Sequence, residues 1–512
     1  MLKPSCRLFA LALVTTFACD VNEEVANPGD AGLHDARSDG KGGVPGAGGF
    51  FAKGGATGTG GATARGGAGG GATGGSSGTG GGTGGSLPSS GGSGGGAPDG
   101  GDARGLEDTL GSEAAVGPDG DAGGCPPATP AQAPAGVTPL RAINAFVTRD
   151  GSTLSLCGQP FQVLGTNVYY AQSYLCYGDG DKQRVIEAFD DMVRMSLPVA
   201  RIWAFYDGGS GDSATIRSAP GTYREEGLVG LDRAVSEAKK RGIRLIMTLT
   251  NYWTDYGGLP TYARWAGASG PQAFYTNTTM QGYFKDYATL LSRRTNTLTG
   301  VAYKDEPAIL AWEIANELRC PTCASVDVVL STIDSLATLL KGLFPNHLIS
   351  DGGEGFDDTE ANWGPLSNIY PVRGDERMSF SKIVKLASID MASYHYYPDP
   401  WGMDLTSPAT IARDAQTWID GHAALAKAAG KVVFWGEFGF KARSPDAERA
   451  PIYDHWLSIF YGATDNGALA AFWQLISASR GMSGEDGYGV IISRDPATVA
   501  ALEKYSVSRA PR

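Results

Sequence analysis

The chain has 512 residues, 42% of them hydrophobic, and its 42 Lys and Arg against 54 Asp and Glu leave a net charge of −12. No basic patch is visible to neutralise phosphates, which excludes nucleic acid as a partner and favours a neutral substrate. The hydrophobic content suffices for one large core or two modest ones.

In chain order, Lys3 and Arg7 precede the apolar run Leu8 to Ala18. That run is too short to span a bilayer and reads as an export signal over residues 1–18. Cys19 follows, and Thr16-Phe17-Ala18-Cys19 resembles the bacterial lipoprotein cleavage box, with Thr16 where that box usually has leucine. The expected location is therefore secreted or cell-surface, with the membrane reached only through lipid on Cys19. Most of the 75 glycines lie before residue 125, in Gly-Gly-Ala, Gly-Gly-Thr and Gly-Gly-Ser units with few large apolar side chains to offset ordering entropy. Residues 19–140 read as a tether with an r.m.s. span of about 60 Å. Within it Gly91-Gly92-Ser93-Gly94-Gly95 and many Gly-x-Gly-x-x-Gly windows match motifs by composition alone, since none lies between a strand and a helix.

Folded sequence is expected over 141–512, beginning in earnest near Asn144. Phe146-Val147-Thr148-Arg149-Asp150-Gly151 and Leu156-Cys157-Gly158-Gln159-Pro160 read as a hairpin. Eight apolar strands follow, at Phe161 to Tyr170, Val199 to Phe205, Arg244 to Trp253, Ile309 to Glu317, Leu348 to Gly353, Ile389 to Tyr397, Lys431 to Gly439 and Ala468 to Leu475. Between them Val185, Phe189 and Met192 share a helical face, as do Val329, Ile333, Leu336, Leu340 and Leu343. Eight strand-then-helix units predict a (β/α)8 barrel, with the hairpin closing its floor and a doubly wound open sheet as the competitor. Polar residues at strand ends favour the barrel: Arg201, Asn251, Asn316 with Glu317, His395 with Tyr397, Glu437, and Trp473 with Gln474 would converge on one mouth.

The chemistry is carried by Glu317 and Glu437, 120 residues apart, each ending a run that reads as a buried strand. Burial penalises a charge unless a partner or a reaction uses it. Two carboxyl groups about 5 Å apart serve glycosidic cleavage with retention, one protonating the leaving oxygen and one attacking the anomeric carbon. Arg201 is expected to hold Glu437 ionised, while burial and the neighbouring charge are expected to raise Glu317. Glu313, on the same side of its strand but deeper, reads as a structural carboxylate. Trp203, Trp435 and Trp456 read as core. His34, His347, His395, His422 and His455 show no ligand spacing, so no metal and no cofactor is expected. Cys320-Pro321-Thr322-Cys323 reads as a small structural disulfide rather than a redox motif, and Cys125, Cys157 and Cys176 leave an odd thiol unassigned.

Tyr303-Lys304-Asp305-Glu306-Pro307, Ala311 to Cys320, Asn251-Tyr252-Trp253-Thr254-Asp255-Tyr256-Gly257-Gly258 and His395-Tyr396-Tyr397-Pro398-Asp399-Pro400-Trp401 resemble glycoside hydrolase family 5, and within it the endo-β-1,4-mannanases of fungi and plants. The resemblance runs from about Phe146 to Gly489. It implies that Glu317 is the acid/base, Glu437 the nucleophile, and Asn316 the partner of the sugar 2-hydroxyl. Tyr397 would donate to the nucleophile, His395 would orient the acid/base region, Arg201 would support Glu437, and Trp473 would lie beneath the sugar. Arg319 and Trp253 match positions lining further subsites, Asn251 belongs to the same constellation, and Cys320 with Cys323 matches a family disulfide. Leu318, Tyr252 and Ile246 depart from the family, standing where proline, asparagine and histidine are usual. The implied activity is retaining endo-hydrolysis of mannan, glucomannan or galactomannan by a monomer. A β-1,4-glucanase on the same barrel is the alternative, since both sugars share the site chemistry and differ at the 2-hydroxyl. A non-catalytic, tethered glycan-binding protein is a third reading, against which the matched acid and nucleophile argue.

Overall fold

A computed structural model describes residues 126–512 apart from 128, 210, 360–361, 442–444, 464–468 and 480–485. The export signal, the Gly-rich tether, Cys19 and Cys125 lie outside the described residues. Thirteen strands and ten α-helices occur among the described residues. The strands are β1 (Val147–Asp150), β2 (Thr153–Leu156), β3 (Gln159–Pro160), β4 (Val163–Asn167), β5 (Val199–Trp203), β6 (Arg217–Ala219), β7 (Thr222–Tyr223), β8 (Arg244–Thr248), β9 (Ile309–Glu313), β10 (Leu348–Ser350), β11 (Met391–Tyr396), β12 (Val432–Phe438) and β13 (Leu469–Phe472).

Eight of these close into a parallel barrel in the cyclic order β4, β5, β8, β9, β10, β11, β12, β13. The barrel, rather than the open sheet, is therefore the architecture, and all eight expected strands contribute to it. Every residue of these strands is buried, as required when helices cover the outer face and side chains fill the inner one. The strands are shorter than the apolar pattern suggests. The fourth ends at Glu313, not Glu317, and the third at Thr248, not Trp253. Extended loop and strand share the same apolar signal, and only ladder hydrogen bonds separate them.

The helices bury the faces their spacing marks. Helix Asp179–Arg194 turns Val185, Phe189 and Met192 inward, with Asp179 and Asp181 in its first turn and Arg194 in its last, complementing the helix dipole. Helix Val326–Leu343 buries Val329, Ile333, Leu336 and Leu340. Trp312 on β9 stacks on Phe344 just beyond that helix, centroids 4.2 Å apart, and truncating it to alanine would cost about 3–5 kcal/mol.

At the strand N-termini a second apolar cluster joins Val163, Val199, Ile246, Leu348, Met391, Val432 and Leu469 to Val147, Leu154, Leu156 and Phe161. The expected hairpin is thus a three-stranded antiparallel sheet, β1-β2-β3, and it covers the barrel floor. Ile246 belongs to this floor layer. With one end of the barrel closed by apolar packing, the polar strand ends are left to the other.

Candidate active site

Arg201, in the middle of β5, is fully buried and organises the mouth of the barrel. Its Nε donates to Glu313 Oε2 at 2.6 Å, Nη1 to Glu437 Oε1 at 2.7 Å and to Asn167 Oδ1 at 3.2 Å, and Nη2 to Asn316 Oδ1 at 2.9 Å. A planar guanidinium suits this arrangement, because its fork presents several donors at fixed angles. Glu313 Oε2 also accepts from Thr248 Oγ1 at 2.6 Å, and Oε1 accepts from Ser350 Oγ at 3.5 Å, below the mouth.

Glu437 lies in β12 opposite His395 of β11, where the register shifts by a bulge between Tyr394 and His395. Bulges of this kind re-aim side chains at the rims of barrels. Tyr397, one residue past β11, donates to Glu437 Oε2 at 2.6 Å. Glu317 sits four residues beyond the end of β9 with φ +53°, a left-handed conformation that a glutamate rarely adopts and that clusters at functional sites. It is held there by its own N–H donating to Gly352 O at 2.9 Å. His395 Nδ1 is 2.9 Å from Glu317 Oε1 and 3.7 Å from Glu437 Oε2, and Trp253 Nε1 donates to Glu317 Oε2 at 2.6 Å. One oxygen of each glutamate and an imidazole nitrogen all lie within 4.8 Å of one another.

The electrostatics differ from the sequence expectation. Burial pushes Glu317 up, but the hydrogen bond and charge of His395, with Arg319 and Trp253, outweigh it and hold the carboxyl at about 2. Burial raises Glu437 above the usual carboxylate range, against the lowering influence of His395, Arg201 and Tyr397. His395 is raised, since the charges of Glu437 and Glu317 overcome the burial that opposes protonation. Protonation of the imidazole is thus favoured by the carboxylates on either side of it. These three groups titrate as a unit. They are also the described side chains whose donor atoms could converge on a cation, but Glu437 is already bridged by Arg201 and Tyr397.

Asn316 and Asn251 meet in a bridge beyond their strands, Asn316 Nδ2 donating to Asn251 Oδ1 at 3.1 Å, which leaves the Asn316 amide fixed at both ends. Trp253 thus lies directly beside Glu317. Arg319 stacks over the Trp253 ring, 4.8 Å from its centroid, and is gripped by Glu354 in two hydrogen bonds of 2.6 Å. Trp473, one residue past β13, is partly exposed at the mouth and lies nearly parallel to Tyr169, centroids 5.1 Å apart. Cys320 and Cys323 form a disulfide, Cys157 is disulfide-bonded, and Cys176 is free. Trp435 and Trp456 are fully buried, and Trp203 is buried against Tyr169.

Two participants escaped the sequence reading although the same strand-end rule would have found them. Asn167 closes β4 and donates to Gly436 O at 3.0 Å while accepting from Arg201. Glu354 follows β10 in Gly352-Gly353-Glu354-Gly355, where a charged residue inside a glycine loop is the signal. Asp486, which accepts from Trp473, lies in a loop with no such mark.

A family model described as glycoside hydrolase family 5, beta-mannosidase-like, matches residues 144–460. Mannan endo-1,4-beta-mannosidase 4 of Solanum lycopersicum is 35% identical over 389 residues, covering 72% of this chain and 94% of that protein. Mannan endo-1,4-beta-mannosidase 7 of Arabidopsis thaliana is 33% identical, over 71% and 85% respectively. Among solved structures, the endo-1,4-beta-mannanase of Rhizomucor miehei superposes with a TM-score of 0.63 at 32% identity, covering 71% of this chain and all of that one.

Proposed function

The chain belongs to glycoside hydrolase family 5, and from that premise we propose that it is a retaining endo-β-1,4-mannanase acting on mannan, glucomannan or galactomannan. The observation that carries the mechanism is the approach of the two glutamates, with an oxygen of each inside 4.8 Å. That gap suits direct attack on the anomeric carbon and is too narrow for the water an inverting pair must hold between its carboxyl groups.

In this reading Glu437 attacks the anomeric carbon while Glu317 gives a proton to the departing glycosidic oxygen, leaving the sugar esterified to Glu437. Water then enters, Glu317 takes its proton, its oxygen attacks the anomeric carbon, and Glu437 departs with configuration retained. His395 stores the proton at Nδ1, 2.9 Å from Glu317 Oε1, and passes it to Glu317 for the first step. Ester formation then cancels the charge of Glu437, which lowers the proton affinity of Glu317 and suits it to act as base. Arg201 and Tyr397 hold the nucleophile in one orientation, and Asn316, tied to Arg201 and Asn251, is set to meet the sugar 2-hydroxyl. Such contacts count for rate only as far as they strengthen in the transition state. Trp473 offers an apolar ring face beneath the pyranose at the cleavage point, and Arg319 and Trp253 extend the surface beyond it.

Reducing-end release from galactomannan and glucomannan, compared with carboxymethylcellulose and xylan, tests the substrate class. Preference for mannans is expected. Faster release from cellulose would assign a glucanase, and release from none would favour a glycan-binding protein. Among the described residues no helix is long and apolar enough to cross a membrane. Export, a lipidated Cys19 and a monomeric state complete the proposal, with mass spectrometry of the mature N-terminus and light scattering as their tests.

A further inference from the structure

Asp486, at the start of the described segment 486–489, faces the indole of Trp473. Trp473 Nε1 donates to Asp486 Oδ2 at 2.5 Å, and the same oxygen accepts from Gln474 Nε2 at 3.3 Å. The other oxygen, Oδ1, accepts from the backbone N–H of Tyr488 at 2.9 Å. Both carboxylate oxygens are thus committed, one to the indole and one to the loop. Arg449, fully buried beneath, braces this loop by donating to Gly487 O and Gly489 O at 3.0 Å each. Tyr488 in turn packs edge-on against Tyr397, the donor to Glu437, with ring centroids 5.2 Å apart.

A carboxylate hydrogen-bonded to an indole N–H does more than fix the ring's rotation. The N–H bond polarises toward the acceptor, and electron density withdrawn from the proton is returned to the π system, deepening the negative potential over the ring face. A cation above that face is bound more tightly than a neutral group, because the attraction is between charge and ring quadrupole. Glycosidic cleavage develops positive charge on the sugar at the anomeric carbon and ring oxygen, and this charge is absent in the ground state. An interaction felt only by the charged species accelerates the reaction without tightening substrate binding.

We infer that Asp486 is a positioning residue which, through the indole of Trp473, favours the positively charged transition state over the neutral substrate. The inference rests on the proposed place of Trp473 beneath the reacting sugar. Asp486 itself touches neither substrate nor nucleophile.

The test compares two ligands by calorimetry: a β-mannosyl-linked basic piperidine of isofagomine type, cationic at the anomeric position, and neutral mannobiose. In Asp486→Asn, which keeps one accepting oxygen but removes the charge, affinity for the cation should fall about tenfold and affinity for mannobiose less than twofold. The kcat for mannotriose should fall with KM nearly unchanged. In Trp473→Phe, which keeps a ring but lacks the N–H, adding Asp486→Asn should produce no further loss of cation selectivity, because the coupling runs through that bond. Equal loss for both ligands in Asp486→Asn would make the residue merely structural, and no loss for either would also overturn the inference. Undiminished binding of both ligands by Trp473→Ala, which removes the ring, would instead remove Trp473 from beneath the sugar, a separate failure that rejects the underlying site reading.

Discussion

Arg201→Met tests the view that one buried cation sustains the nucleophile. Its guanidinium lies 2.6 Å from Glu313 and 2.7 Å from Glu437, with Arg201 and Glu313 fully buried and the Glu437 side chain 4% exposed, so little solvent is present to screen the loss. With charge centres about 4 Å apart and an effective dielectric near 20, the pair interaction is about 4 kcal/mol. That is about three pKa units on Glu437, which burial already raises. The acid limb of kcat/KM on an aryl β-mannobioside should therefore move toward neutrality by up to about three units, and urea unfolding should show a loss of about 3–5 kcal/mol from the two stranded carboxylates. Arg201→Lys keeps the charge but cannot reach Glu313, Glu437 and Asn316 together, so its acid limb should stay near that of the wild type while kcat falls. A folded Arg201→Met enzyme with an unmoved acid limb would refute the argument, because it would mean Glu437 does not depend on this charge.

Glu437→Ala should abolish turnover and recover with azide, giving a glycosyl azide of inverted configuration by nuclear magnetic resonance; near-wild-type activity would mean another nucleophile. Glu317→Gln should lose activity on mannan yet keep part of it on substrates with good leaving groups, which need no proton. The held-down Glu317 stabilises the fold at pH values above its unfolded range near 4.5, and this contribution is lost as pH falls toward about 2. The raised His395 acts with the opposite sign, stabilising below its unfolded value of 6.5 and losing that contribution as pH rises through its folded value. The urea midpoints of wild type and Glu317→Gln should accordingly differ at pH 6 and draw together as pH falls toward about 2. Gly352→Ala should impair both folding and kcat, since a Cβ there would meet Ala315 O at 2.0 Å and displace the carbonyl that holds Glu317, whereas Gly430→Ala, at φ +64° in open space, should cost about 1 kcal/mol and leave kcat unchanged.

The barrel was legible because eight buried parallel strands leave eight apolar runs, and their polar ends marked the mouth. Strand limits were not legible. The stretches Thr250 to Trp253 and Ile314 to Glu317 continue the strand pattern while leaving the ladder, and their departure is what lets Asn251 and Asn316 bridge. The meeting of the two glutamates was readable from position, but the direction of their pKa values was not. That depends on which donors reach Glu317, and nothing in the order of residues announces that His395 Nδ1 and Trp253 Nε1 both point at it. Loop residues such as Asp486 carry no periodicity at all, so a contact such as that with the Trp473 indole is visible only in the folded chain.

The left-handed turn at Glu317 places this glutamate outside the hydrogen-bonded cage of the barrel. Its carboxyl is aimed by Trp253 and His395 and its backbone N–H is held by a glycine carbonyl, all on separate segments, whereas Glu437 is anchored within β12. The scaffold therefore treats its two working acids unequally, one as masonry and one as a fitting. Retuning the optimum acidity of such an enzyme is a matter of replacing the fitting's neighbours, and the walls can be left alone.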